Sequence, residues 1–223
     1  MSNKKSVFKP TTIALAALFS ALAYLTVFIL RIPFIPAVGF LKYEAKDAVL
    51  ALEALILGPI PTVFSSLVIS LLEMVTISTT GPIGAVMNFL SSMAFVLPVG
   101  IIYHKRRTLN AAVIGLICSV ICETTVMLLW NYLISPIYMG ISREAITALL
   151  LPGFLPFNAV KSIINAAITF LLYKPLMKVL RSAGLMPKRD SEGGSKALPI
   201  FVNVICVLLI AAAILSLFIF KLI

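Results

Sequence analysis

The stretch "PFNAVKSIINAAITFLLYKPL", residues 156–176, decides how this chain is built. It is an apolar helical run of about the 20 residues that cross ~30 Å of hydrocarbon. Yet Asn158, Lys161 and Asn165 sit inside it. Spaced i, i+3 and i+7, the three fall on one helical stripe. Amide and ammonium groups turned toward lipid are costly, so the stripe must face protein or water. Two readings of Lys161 remain open: a packing ion pair with Glu73 or Glu123, or a place on the wall of a ligand cavity or pathway.

The rest of the chain has the same character. Its 223 residues are 61% hydrophobic and 12% charged, with a mean hydropathy of +1.12. Those values exclude an ordinary water-soluble globular domain and indicate an all-α integral membrane protein. Apolar windows fall at about 11–30, 47–57, 60–77, 83–103, 109–134, 152–173 and 198–220. A membrane barrel would show shorter alternating segments. The first window, preceded by Lys4, Lys5 and Lys9, is too long for a signal-peptide core and reads as a retained helix. The second would be only ~16 Å long at 1.5 Å per residue. "GPIP" at 58–61 nevertheless marks a reversal there rather than a single helix over 47–77.

The net charge of +10 does not point to nucleic acid, because the basic residues gather at the ends of apolar spans. "HKRR" at 104–107 and the basic segment after Tyr173 are expected on the cytoplasmic side, as is the N-terminus. Spans four and six then start, and span five ends, on the outer face. Asn88, Asn131, Asn158 and Lys161 accordingly lie toward one outer half of the bilayer.

Taken singly, each asparagine is also explained by a hydrogen bond between helices. Together, amide donors and acceptors with a lysine suit a flat heterocycle bearing an imide-like edge. Phe89, Phe95, Trp130, Tyr132, Phe154 and Phe157 offer apolar walls for such a ring. Glu53, Glu73 and Glu123 receive no role in the site. In "YEAKD", residues 43–47, the charges read as a solvated loop, with Asp47 as a helix cap. Cys118, Cys122 and Cys206 read as packing residues, and no metal site is expected. No phosphate-binding loop is present, and His104 is the only histidine, so the chain is not expected to be an enzyme. Ala14, Ala17 and Ala21 share one face of the first helix and would admit a close neighbour, internal or from another subunit.

"GPIGAVMNFLSS" at 81–92, "WNYLISPIY" at 130–138 and "LPFNAVKSIINAAITFLLYKPL" at 155–176 resemble, in order and spacing, the riboflavin-specific S component of energy-coupling factor (ECF) vitamin transporters. The resemblance runs from about residue 10 to 180. It implies a six-helix substrate-binding bundle over 1–180 that captures riboflavin as a transported ligand, with no cofactor. It implies that Asn131, Asn158 and Lys161 hold the ring's polar edge and that Asn88 borders the pocket. Tyr43 and Glu44 would belong to a loop closing over the ligand. It further implies that Ala14, Ala17 and Ala21 dock on a transmembrane coupling subunit driven by two cytoplasmic ATPases. The chain departs from the six-helix pattern after a linker over 181–197, where an additional transmembrane helix is expected within 198–223. That would leave the C-terminus outside a multi-pass protein of the cell membrane. The alternatives left open are an S component for another vitamin and a proton-coupled carrier using Glu73, Glu123 and Lys161.

Overall fold

The computed structural model describes residues 9–78 and 80–185; the expected helix at 198–220 and most of the linker lie outside the described residues. Seven α-helices account for most of this segment: α1 (Pro10–Ile29), α2 (Lys46–Ile56), α3 (Pro59–Thr76), α4 (Gly81–Arg106), α5 (Leu109–Met139), α6 (Arg143–Leu149) and α7 (Leu155–Ser182). A π-helical turn over Leu150–Phe154 joins α6 to α7. No strand occurs among the described residues; the nearest thing is a single antiparallel bridge between Ile32 and Tyr43.

The reversal expected near "GPIP" is present. Gly58 adopts φ 104°, a left-handed value that a side chain would resist, and Pro59 opens α3 at a position where a missing N–H costs nothing. The short α2 is buried at all but one of its positions, its charged Lys46, Asp47 and Glu53 included, so it is a helix enclosed by others. By contrast α1 buries only Leu15, Phe19, Ala23 and Val27, a stripe repeating every four residues. Its remaining surface, including Leu18, Leu22, Leu25 and Phe28, is exposed, as lipid-facing side chains would be.

Several helices outrun the spans read from sequence. Pro136 does not stop α5, which continues to Gly140, a left-handed C-terminal glycine. Helix α7 extends past the apolar run because Met177 and Leu180 still pack in the main core. Inside α4, Pro98 lacks a backbone donor, and the neighbouring Val99 N–H donates instead to Ser119 Oγ on α5 at 3.2 Å. Such side-chain rescue makes a proline tolerable in a membrane helix. These two helices also meet closely at Gly115, where an added Cβ would lie 2.9 Å from Val99 Cα.

Candidate ligand-binding site

One end of the bundle encloses a cavity of about 420 Å³, bounded by α3, α4, α5, α7, the segment joining α1 to α2, and single residues of α1 and α2, Val27 and Lys46. Asn88, Asn131, Asn158 and Lys161 all line it, and so does Glu44. The structure thus brings four polar side chains from three helices to one cavity. Tyr43 is not part of the wall; it lies behind, buried, with its hydroxyl donating to Asn165 Oδ1 at 3.0 Å. Burial pushes its phenol above the ordinary pKa, against the opposing pull of the Lys161 charge, so the hydroxyl keeps its proton.

Helical back-bonding orients the amides. Asn158 Nδ2 donates to Phe154 O at 2.8 Å and Asn131 Nδ2 to Met127 O at 2.7 Å, each one turn earlier. Ser135 donates to Asn131 Oδ1 at 2.9 Å. Asn158 Oδ1 has no partner among the described residues, so this amide offers the cavity an acceptor. Phe157 lies alongside, stacked on Phe34 with ring centroids 4.9 Å apart.

Both readings of Lys161 turn out to describe the same side chain. Its Nζ lies 2.8 Å from Glu123 Oε1, 2.9 Å from Asp47 Oδ2 and 3.0 Å from Ser91 Oγ. It nonetheless forms part of the cavity wall, as does Ser91. The ammonium thus donates hydrogen bonds to Glu123 and Ser91, and Asp47 adds an ion-pair contact. Glu73 is not its partner.

The reading of "YEAKD" as a solvated loop is overturned, for residues 43–47 are all buried. Asp47 does not cap α2, whose N-cap is Ala45 and has no side-chain bond. Its carboxylate is fully enclosed, accepting from Ser92 Oγ at 2.5 Å and meeting Lys161. Lys46 is 2% exposed and lies 2.7 Å from both oxygens of Glu73 and 3.4 Å from Glu44 Oε2. Arg31 pairs with Glu44 at 3.0 Å. Glu73 also accepts from Asn88 Nδ2 at 2.5 Å and lines the cavity, a position sequence reasoning had denied it. The missed signal was the composition of α2. Where a short helix is apolar between its few charges and enclosed by others, those charges share its burial and must find internal partners.

Most of the aromatic wall expected from sequence lies elsewhere. Phe95 belongs to the main core, Phe154 to a smaller cluster with Val38, Ile146 and Phe157, and Tyr132 is exposed beneath the Arg143 guanidinium. Phe157 keeps its place, joined by Phe40 and Met127. On the outside of the bundle, Ala17 and Ala21 line a second, apolar concavity of about 670 Å³ between α1 and α3. Ala14 is exposed one turn earlier on α1.

A helical bundle with an apolar exterior, enclosing a polar cavity braced by buried ion pairs, defines a membrane-embedded solute-binding protein. Residues 11–173 match the model of the ECF transporter substrate-specific component, and the chain belongs to that family. The relatives are transporter components rather than enzymes. The chain is 30% identical over 172 residues to the riboflavin transporter RibU of Staphylococcus aureus (strain TCH60), a match covering 74% of this chain and 89% of that protein. It is 25% identical over 187 residues to the riboflavin transporter FmnP of Bacillus subtilis (strain 168), covering 78% and 98%. A solved structure described as the S component of a bacterial ECF transporter superposes with a TM-score of 0.64 at 28% identity, over 76% of this chain and 97% of that one.

Proposed function

We propose that the chain is a riboflavin-binding subunit that takes the vitamin from outside the cell and delivers it inward with a separate coupling subunit and two ATPases. The observation that carries this reading is the meeting of Asn131, Asn158 and Lys161 on one cavity wall beside Phe157. A flavin ring presents alternating carbonyls and one imide N–H along its polar edge. The open Asn158 oxygen suits the N–H. A ring carbonyl reaches Lys161 by replacing the Ser91 hydroxyl as acceptor, which leaves both carboxylate contacts in place. Phe157 and Met127 supply apolar surface for the ring. The two riboflavin transporters among the relatives support the same ligand.

The apolar concavity between α1 and α3 is the proposed seat of the coupling subunit, with Ala14, Ala17 and Ala21 as its contact face. No described helix uses that face internally. In this arrangement the Pro10 end of α1 faces the cytoplasm.

The test is a fluorescence-quenching titration of the purified full chain with riboflavin, alongside its visible spectrum. Saturable quenching at one site per chain is expected; a colourless protein that leaves added riboflavin unquenched refutes the proposal. Reconstituted alone under a pH gradient, the chain should move no riboflavin. Uptake in that experiment would instead favour a proton-coupled carrier built on Glu73, Glu123 and Lys161.

A further inference from the structure

The ligand cavity draws on the early turns of α4 and the late turns of α5, at Asn88, Ser91, Asn131 and Tyr138. The turn that joins these two helices therefore lies at the opposite end of the bundle. There Lys105, Arg106 and Arg107 follow one another, all exposed. Around the cavity Arg31, Lys46 and Lys161 each meet a carboxylate. The cations of the turn meet none among the described residues. Arg107 is also the one non-glycine residue with a positive φ, 49°, among those described. Glycine is the usual occupant of such a helix end, so an arginine here keeps its charge in place despite backbone strain.

Basic residues at helix ends orient a membrane protein, and orientation needs charge alone. This turn adds a shape. Lys105 and Arg106 share a recess of about 310 Å³ between α4 and α5 with Ile102, Ile114, Thr108 and Asn110. Thr108 Oγ accepts from Ala111 N at 3.2 Å. The N–H groups of Leu109 and Asn110, in the first turn of α5, have no helical acceptor and favour a negative group beside them. Ile114, within the recess, opens an apolar stripe continued by Ile117 and Ile121. Spaced i, i+3 and i+7, the three share one face of α5 and are all about half exposed or more. At 1.5 Å per residue the stripe leads ~10 Å along the helix, into the hydrocarbon layer.

We propose that this recess binds an anionic glycerophospholipid, its phosphate held between Lys105 and Arg106 and one acyl chain laid along Ile114, Ile117 and Ile121. A free phosphate has no use for the apolar stripe, and a zwitterionic headgroup brings a cation of its own against two already present. The lipid site stands apart from the flavin reading and is tested without any flavin.

The full chain in detergent is titrated by native mass spectrometry with phosphatidylglycerol and with phosphatidylcholine of the same acyl chains. The wild type should hold phosphatidylglycerol about tenfold or more tightly, in line with two basic contacts to an anionic headgroup. In Lys105→Gln/Arg106→Gln that preference should fall to about twofold or less. Lys174→Gln/Lys178→Gln removes the same charge from the α7 segment at that end of the bundle and should keep the preference. Because Lys105 and Arg106 are exposed, their double variant should keep the wild-type thermal midpoint in lipid-free detergent. No preference in the wild type, or one that survives Lys105→Gln/Arg106→Gln, overturns the proposal. Equal loss in both double variants also overturns it, since net charge alone would then drive binding. Soluble glycerophosphate should not displace the lipid; displacement at equal concentration would reduce the site to an adventitious anion only. A preference that emerges only after Asp190→Asn and Glu192→Gln would give these cations to the chain's own acidic residues and likewise overturn the lipid site.

Discussion

The two larger concavities of this protein differ in how they are held open. The polar cavity draws on α2, α3, α4, α5, α7 and the α1–α2 segment, and its wall is interlocked by buried ion pairs joining groups far apart in sequence. The groove between α1 and α3 is lined by side chains of two helices, chiefly small, hydroxyl-bearing and apolar residues, with no charged group among them. A small polar ligand must be met by groups already desolvated and aimed, which requires partners on several elements. A helix surface needs only small residues that allow close approach. The first site should therefore break when a single partner is removed. The second should tolerate substitution in the isolated protein and fail only when its partner is present.

The largest effect should follow from Lys161→Met. It leaves Asp47 and Glu123 buried at the same point without their shared cation, a loss of about 3–5 kcal/mol for a broken buried pair. The thermal midpoint in detergent should fall sharply, and riboflavin quenching should vanish. Adding Glu123→Gln to Lys161→Met removes one stranded charge and should restore part of the midpoint but none of the binding. If the single variant keeps wild-type stability and affinity, Lys161 is neither brace nor contact.

Gly115→Ala separates the scaffold from the site. Its Cβ would press on the α4 backbone at Val99, an overpacking cost of about 1–3 kcal/mol. The midpoint should drop while riboflavin affinity stays near wild type, since Gly115 does not line the cavity. Equal losses of stability and affinity would mean that binding simply tracks helix packing.

Much of this was legible in the sequence. Lengths of apolar run and the Gly-Pro break were enough to place the α2–α3 reversal, because hydrocarbon thickness and proline chemistry act locally. The polar stripe on α7 was legible for the same reason: a lysine in an apolar helix has few places to go. The partners of the charges were not. Lys46 and Glu73 are 27 residues apart, and Asp47 meets Ser92 on another helix. Nothing in local pattern connects such pairs, and a short segment like "YEAKD" looks the same whether it lies in water or under a bundle. Aromatic positions failed similarly, since Phe95 and Phe157 share composition and differ only in which neighbour they face.

Tyr43→Phe should have a smaller consequence. It deletes the hydroxyl that Asn165 accepts from, leaving Oδ1 of a buried amide unmatched, for a net loss of about 1 kcal/mol. Because Tyr43 stands behind the wall, the effect on riboflavin should come through looser closure of the segment between α1 and α2. The dissociation rate should rise, with the association rate little changed. A change confined to association would place Tyr43 at the entrance.

The smallest effect on the isolated protein should come from Ala17→Leu and Ala21→Leu. Both positions are exposed, and added side-chain atoms there extend outward into the apolar groove rather than into packed core. Stability should shift by no more than about 0.5 kcal/mol, and riboflavin affinity should be unchanged. In cells supplied with the coupling subunit and ATPases the same variants should lose uptake, because a leucine fills the space a docking helix would enter. The two assays thus pull apart what the Lys161 variant joins. Loss of affinity in the isolated chain would show that the groove communicates with the cavity through α1. Retained uptake would move the docking face to another part of the bundle surface.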